Sequence, residues 1–311
     1  MNVGNDVLAR IGKIETIISQ TVRRDISPLV ACAKGSLLTA AQSIAGHPMP
    51  CVAIITGFFI RHAEPPTAET DGLTGSVHLA AGLKHAGIPA LIVTDTPCAG
   101  AVRAAARPIP ENIDVRVVPV SESAVLELQI DLERMARPVT HFVAIERVGP
   151  GPDGKPHREH GWDMTEDTAP LHLMFEAAKN GKPWTTIGIG DGGNEIGMGN
   201  LPYEIVDKNI PNGSIVACTT RCDHLLVCGV STWGGLGLLA AVALLRPDLK
   251  DALLFYMTRE WDRRILESAV YEGPAIDDSR PDKLGKPQMS IDRLPWEQHA
   301  DLLEEIVQLT R

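Results

Sequence analysis

Aromatic side chains are scarce in this chain. They form 4% of its 311 residues, as five Trp, three Tyr and five Phe. Base stacking on aromatic platforms, the usual device of single-strand nucleic-acid binders, has little to work with. Positive charge is also short: 29 Lys and Arg stand against 39 Asp and Glu, a formal net charge of −10. Phosphate backbones demand a basic surface, so no nucleic-acid partner is expected. No apolar run is long enough to cross a bilayer, and no membrane partner is expected. The N-terminus MNVGNDVLARIGKIE lacks the charged-then-apolar layout of a secretory signal, so a cytoplasmic location is expected. Six cysteines do not make a disulfide framework at this length. Cys218 and Cys222 are spaced C-x3-C with His224 and Cys228 close by, but there is no second such pair and Cys228 sits in the apolar run LLVCGV. Reduced thiols on buried segments are expected there rather than a zinc site. Also missing are H-E-x-x-H, G-x-S-x-G, the P-loop pattern and the EF-hand spacing, which removes support for zincins, α/β-hydrolases, P-loop kinases and a dedicated calcium loop.

What is present is alternation. Apolar residues recur at helical spacing over 6–19 and 28–45. Then short apolar runs, CVAIITG, ALIVTD, DVRVVPV, THFVAIE, TTIGIG, SIVACT and LLVCGV, are separated mostly by helical stretches. This pattern predicts an α/β fold with a mainly parallel sheet flanked by helices on both faces. One domain is expected over 1–311, with an N-terminal helical segment, 1–46, and a C-terminal arm, 273–311. Ligands of such sheets bind outside the carboxyl ends of the strands. That singles out Thr56-Gly57, Asp95, Glu146, Gly190-Asp191 and Thr219-Thr220.

The stretch TTIGIGDGGNEIGMGN contains a G-x-G-x-x-G match at Gly188–Gly193. A dinucleotide cradle needs a helix to start at the third glycine. The following NEIGMGNLPY holds two more glycines and a proline, costing about 1 and 3 kcal/mol each in a helix. Asp191 would also repel a phosphate. A cation fits better: Asp191, Asn194 and Glu195 are oxygen donors within five residues, and Asp95, Glu146, Asp71 and Glu69 can converge from neighbouring loops. The loop 147–165 carries Arg147, Lys155, His157, Arg158 and His160 near this acidic region, suited to an anionic substrate. Trp233, Gly234 and Gly235 open a helix whose first amides can hold a carboxylate.

TGF at 56–58, ETDG at 69–72, AIER at 144–147, GIGDGGNEIGMGN at 188–200 and VSTWGG at 230–235 together resemble the D-glutamate cyclase C-terminal domain family (DUF4392). The resemblance runs from about residue 10 to 270. It implies an α/β fold, an acidic metal-binding cavity and a lyase activity, the dehydrating cyclisation of D-glutamate to 5-oxo-D-proline. Carried onto this sequence, it gives Asp71, Asp191, Asn194, Glu195 and Glu69 to a divalent cation, Mg²⁺ or Mn²⁺, with Ca²⁺ also compatible. Glu146 and Asp95 take catalytic roles. Arg147, His160, Thr56, Gly57, Trp233 and Gly234 contact a small amino-acid substrate. The acids alone also admit a metal-dependent hydrolase or phosphatase on a small anionic substrate, or a non-catalytic metal- or amino-acid-binding subunit. The sequence leaves a homo-oligomer open.

Overall fold

Six of the apolar runs become strands of one sheet. They are β1 (Val52–Thr56), β2 (Ala90–Asp95), β3 (Asp114–Val118), β4 (His141–Ile145), β5 (Thr185–Gly190) and β6 (His224–Val227). The computed structural model describes residues 4–277 and 287–311. Residues 1–3 of the N-terminal segment and 278–286 of the C-terminal arm lie outside the described residues.

All pairings in this sheet are parallel, in the order β3-β2-β1-β4-β5-β6. Side chains alternate between two layers, as the pleat requires. Val52 and Ile54 pack with Ile92, Val143 and Ile187 on one face; Ala53 and Ile55 pack with Leu91, Val93 and Phe142 on the other. Burial on both faces is why β1, β2 and β4 read as unbroken apolar runs. The helix Ser231–Leu245 is buried along its whole length, which explains its lack of a polar stripe. Among the described residues no helix is long and apolar enough to cross a membrane.

The strand order reverses direction between β1 and β4. Connections leave these two strands toward opposite edges, and a crevice opens at their carboxyl ends. Thr56-Gly57 and Glu146 stand at that point.

Two expectations change. SIVACT is not a strand: Gly213–Val216 is a short helix, and Thr219-Thr220 follow it as cover for the glycine loop, with the Thr220 carbonyl accepting from Gly197 and Gly199. The helical stretch 28–45 is two helices, Ser27–Ala33 and Ser36–Gly46. They break at Gly35, whose φ is 90°, a left-handed turn that glycine adopts freely. Glu15 makes the break, since its carboxylate accepts from the Gly35 and Leu37 amides at 2.9–3.0 Å and 3.0 Å.

The C-terminal arm forms a small antiparallel pair, Ser290–Ile291 with Leu294–Pro295, then the helix Trp296–Gln308. Buried polar bonds dock that helix. Trp233 Nε1 donates to His299 Nδ1 at 3.0 Å, and His299 Nε2 lies 3.2 Å from Asp262 Oδ1. Because Nδ1 accepts, a neutral His299 carries its proton on Nε2 and gives it to Asp262. Trp296 Nε1 donates to the other Asp262 oxygen at 2.8 Å. This anchoring holds the turn Asp292-Arg293 over the crevice.

The helices Leu73–His85 and Ser231–Leu245 touch backbone to backbone through two glycines. A Cβ on Gly75 would lie 2.5 Å from the Thr232 carbonyl oxygen, and one on Gly235 would lie 2.9 Å from the Gly75 carbonyl carbon. Gly235→Ala should therefore cost about 1–3 kcal/mol through overpacking, read as a lowered chemical-denaturation midpoint with an unchanged slope. A neutral substitution would mean the two helices are not pressed together.

Candidate active site

A cavity of about 430 Å³ opens above the carboxyl ends of β1, β4 and β5. Its acidic floor is Asp71, Glu146 and Asp191. One oxygen of each lies within 4.8 Å of the others, and all three side chains are buried.

Each acid is held by a local reason. Asp71 sits against the start of the helix Ser231–Leu245, accepting from the Ser231 amide at 3.0 Å and the Thr232 amide at 2.8 Å. It also accepts from its neighbour Gly72 at 2.7 Å. A helix N-terminus favours negative charge. Glu146 follows β4 directly with φ at 46°, a conformation that non-glycine residues hold only when their surroundings impose it. Ser231 Oγ donates to Glu146 Oε2 at 2.5 Å. Gly72 makes room for it: a Cβ there would lie 2.6 Å from the Glu146 Cβ. Asp191 follows β5 directly, at the start of the glycine loop.

That loop explains its own composition. Glu195 folds back so that its Oε1 accepts from the amides of Asp191 at 2.9 Å and Gly192 at 2.6 Å. Its side chain fills the space where a Gly190 Cβ would stand, 2.7–2.9 Å away. The amides that would cradle a phosphate are thus taken by the chain's own carboxylate. Glu195 Oε2 is buried and has no hydrogen-bond partner among the described residues.

Packing these acids together shifts their protonation. Burial, then the charge of Asp191, raises Asp71 to about 6 against the opposing bonds from Thr232 and Gly72. Burial, then Asp191, raises Glu195 to about 7. Glu146 is pushed well above the usual carboxylate range by burial, then by Asp191, Glu195 and Asp71.

The other expected residues divide. Glu69, Asn194 and His160 line the same cavity; Asn194 Nδ2 also donates to the His157 carbonyl at 2.9 Å. Asp95 and Arg147 do not line it. They form a fully buried ion pair with 2.5 Å between Arg147 Nη2 and Asp95 Oδ2. Arg147 further donates to the carbonyls of Gly57 and Ala169, both at 2.8 Å, and Asp95 accepts from the Ala169 amide at 3.1 Å. This knot ties β1, β2 and β4 to the long loop behind the cavity, and it leaves Arg147 turned away from any ligand there. Thr56 is buried behind Gly72, and Gly57 meets Thr94 and Cys98. Trp233 points to His299, and Gly234 packs on Ile189 and Cys228. The helix start does hold a carboxylate, but it is that of Asp71, through the amides of Ser231 and Thr232.

Sequence reasoning missed four contributors. Arg23 and Arg24 come from the connection between the first two helices, Glu159 from the tip of the long loop, and Asp292 from the C-terminal turn; all line the cavity. None follows a strand of the parallel sheet, so the strand-end rule did not reach them. Burial, then Asp191, raises Asp292 to about 8, with Asp71 adding to this and Arg23 and Arg24 opposing it.

The chain matches the family described as D-glutamate cyclase-like, C-terminal, over residues 14–307. The chain belongs to this family. It is also 31% identical over 220 residues to the human protein named "D-glutamate cyclase, mitochondrial", an alignment covering 68% of this chain. The aligned part is 35% of that relative's length. The stretches ETDG, AIER, GDGGNE and VSTWGG, all within the matched residues, supply the acidic floor and its supports.

Two outcomes follow. Asp95→Asn leaves the Arg147 guanidinium buried without its counter-charge and should cost about 3–5 kcal/mol, measured by chemical denaturation; a loss well under 1 kcal/mol would mean the pair is not what holds the loop. The second concerns pH. Asp71, Glu146, Glu195 and Asp292 bind their protons more tightly folded than unfolded. Their contribution to stability is therefore full below the ordinary carboxylate range and declines as pH rises through about 6 to 8. In chelator, the melting temperature should fall from pH 5 to pH 8, and Glu146→Gln should flatten that fall. A flat profile for the unsubstituted protein would contradict the clustering.

Proposed function

We propose that this chain catalyses the dehydrating cyclisation of D-glutamate, or a closely related amino acid with a side-chain carboxylate, to 5-oxo-D-proline, and that it uses Mg²⁺ or Mn²⁺. The observation carrying this reading is the convergence of Asp71, Glu146 and Asp191 in one cavity in a member of the D-glutamate cyclase-like family.

The donor set fits such an ion. Three carboxylate oxygens are hard ligands of the kind Mg²⁺ and Mn²⁺ take, and no cysteine lies among them. Like charges this close in a buried site repel strongly, and a divalent cation relieves that repulsion. In this reading Asp71, Asp191 and Glu146 hold the ion, which moves Glu146 from the proton-transfer role expected for it. Glu195 keeps the loop closed from behind. When bound, the cation supplies Lewis-acid neutralisation of the γ-carboxylate, otherwise a poor electrophile.

The chain's own groups do the rest. The N–Cδ bond forms, a Cδ–O bond breaks, and two protons pass from the ammonium nitrogen to the departing oxygen, which leaves as water. Asp292, raised to about 8 on the cavity wall, holds a proton near neutral pH and is suited to give it to the departing oxygen and take one back from the nitrogen. Ser231 Oγ fixes the Glu146 carboxylate through their 2.5 Å bond. The Asp95–Arg147 pair positions the β1 and β4 ends and takes no direct part.

The test feeds D-glutamate to the protein with Mg²⁺ or Mn²⁺ and follows loss of free amine and appearance of 5-oxo-D-proline. Turnover should require the cation. Asp191→Asn should abolish Mn²⁺ binding and lower kcat by at least about 10²-fold, as expected when one electrostatic contributor to a transition state is lost. D-glutamate returned unchanged with every cation, or full turnover by Asp191→Asn, would sink the reading.

A further inference from the structure

Opposite the acidic floor the cavity has a basic wall, and the protein already binds a carboxylate there. Arg23 and Arg24 lie in the connection between the helices Asn5–Ile18 and Ser27–Ala33. That connection is strapped to the end of β6: the Gly229 amide donates to the Ile18 carbonyl at 2.8 Å, and Ser19 Oγ donates to the Val227 carbonyl at 2.9 Å. The two guanidiniums are thereby fixed over the carboxyl ends of the sheet. Arg24 Nη2 is 3.8 Å from Asp191 Oδ2, and Arg23 Nε is 3.6 Å from Asp292 Oδ1. The wall and the floor are one site.

Glu159 bridges both guanidiniums, one oxygen to each. Its Oε2 is 3.2 Å from Arg23 Nη2 and its Oε1 is 3.4 Å from Arg24 Nη1. It rides on the tip of the long loop, where the Gly161 amide donates to the Arg158 carbonyl at 2.7 Å and Gly161 has φ 80°. The anion is less buried than its donors: side-chain exposure is 32% for Glu159, against 18% for Arg23 and 13% for Arg24. The donors are also underused. Arg23 Nε, Arg24 Nε and Arg24 Nη1 are buried with no well-directed hydrogen-bond acceptor among the described residues. Two fixed guanidiniums in a forked arrangement suit a planar carboxylate better than one side chain at 3.2–3.4 Å satisfies them.

We infer that Arg23 and Arg24 anchor the non-reacting carboxylate of the substrate, and that Glu159 is an internal surrogate which this carboxylate displaces. The ligand class is a short dicarboxylate, one end on the arginine pair and the other toward the acidic floor. The inference rests on the reading of this cavity as the site of an amino dicarboxylate, but its test does not need turnover.

The probe is glutarate, which has both carboxylates and no amine, so it cannot cyclise. It is titrated calorimetrically into the full chain in the presence of Mn²⁺. Glu159→Gln removes the competing charge and should lower the Kd for glutarate severalfold. Arg24→Gln should raise it roughly tenfold to a hundredfold, the scale of a lost charge-assisted hydrogen bond. Glu159→Gln changes a partly exposed side chain, and an unchanged melting temperature confirms that it folds, so it carries the test if Arg24→Gln does not fold. Glutarate failing to bind the unsubstituted protein, or binding Glu159→Gln no better than it, overturns the inference. D-glutamate turnover is scored separately. Glutarate tightened by Glu159→Gln without any turnover sinks the cyclase reading alone; turnover with glutarate affinity indifferent to both substitutions sinks this inference alone.

Discussion

The repulsion among Asp71, Glu146 and Asp191 is the constraint on which the rest of the site depends. Three carboxylates with oxygens within 4.8 Å would drive their strands and loops apart unless each were pinned. The pins are specific. The amides at the start of the helix Ser231–Leu245 hold Asp71, Ser231 Oγ holds Glu146, and the loop that carries Asp191 is closed by Glu195. The helix can reach Asp71 because Gly75 and Gly235 let two backbones meet. What reads as a cluster of conspicuous glycines is thus the means of forcing like charges together.

A second layer of charge balances the first. The buried Asp95–Arg147 pair lies behind the cavity and the Arg23–Arg24 pair lies across it. The two arginine sets do different work. Arg147 turns its two terminal nitrogens to protein acceptors, while Arg23 and Arg24 line a cavity whose own carboxylate, Glu159, is only loosely matched to them. Acid floor and basic wall in a single cavity suit a ligand with charge at both ends, which is the character of an amino dicarboxylate.

Much of this was legible in the sequence, for a physical reason. Strand ends in parallel sheets face the crevice, so Glu146 and Asp191 could be placed by finding the runs HFVAI and TTIGIG before them. Rejecting a phosphate cradle from the glycines and proline after Gly193 was also sound, and the structure adds that Glu195 occupies the cradle itself. The same rule places Asp95 in the site, and the basic loop and the family resemblance place Arg147 there, though both side chains turn back into the protein; a strand-end position does not say which way a side chain points. Arg23, Arg24, Glu159 and Asp292 were illegible because they arrive from segments distant in sequence, none of them at the end of a strand of the parallel sheet. SIVACT misled because a short apolar run satisfies helix and strand patterns alike.

The central claim is that the clustered acids are built to exchange protons for a divalent cation. Calorimetric titration of Mn²⁺ at pH 6.5, in two buffers of different ionisation enthalpy, tests it most directly. At that pH Glu146, pushed well above the ordinary carboxylate range by burial and its acidic neighbours, keeps its proton in the cation-free protein, and an ion taking its oxygen must expel that proton. The account predicts binding whose heat depends on the buffer, corresponding to release of at least one proton, and loss of that heat in Asp191→Asn. Absence of binding, or binding with the same heat in both buffers, would contradict it.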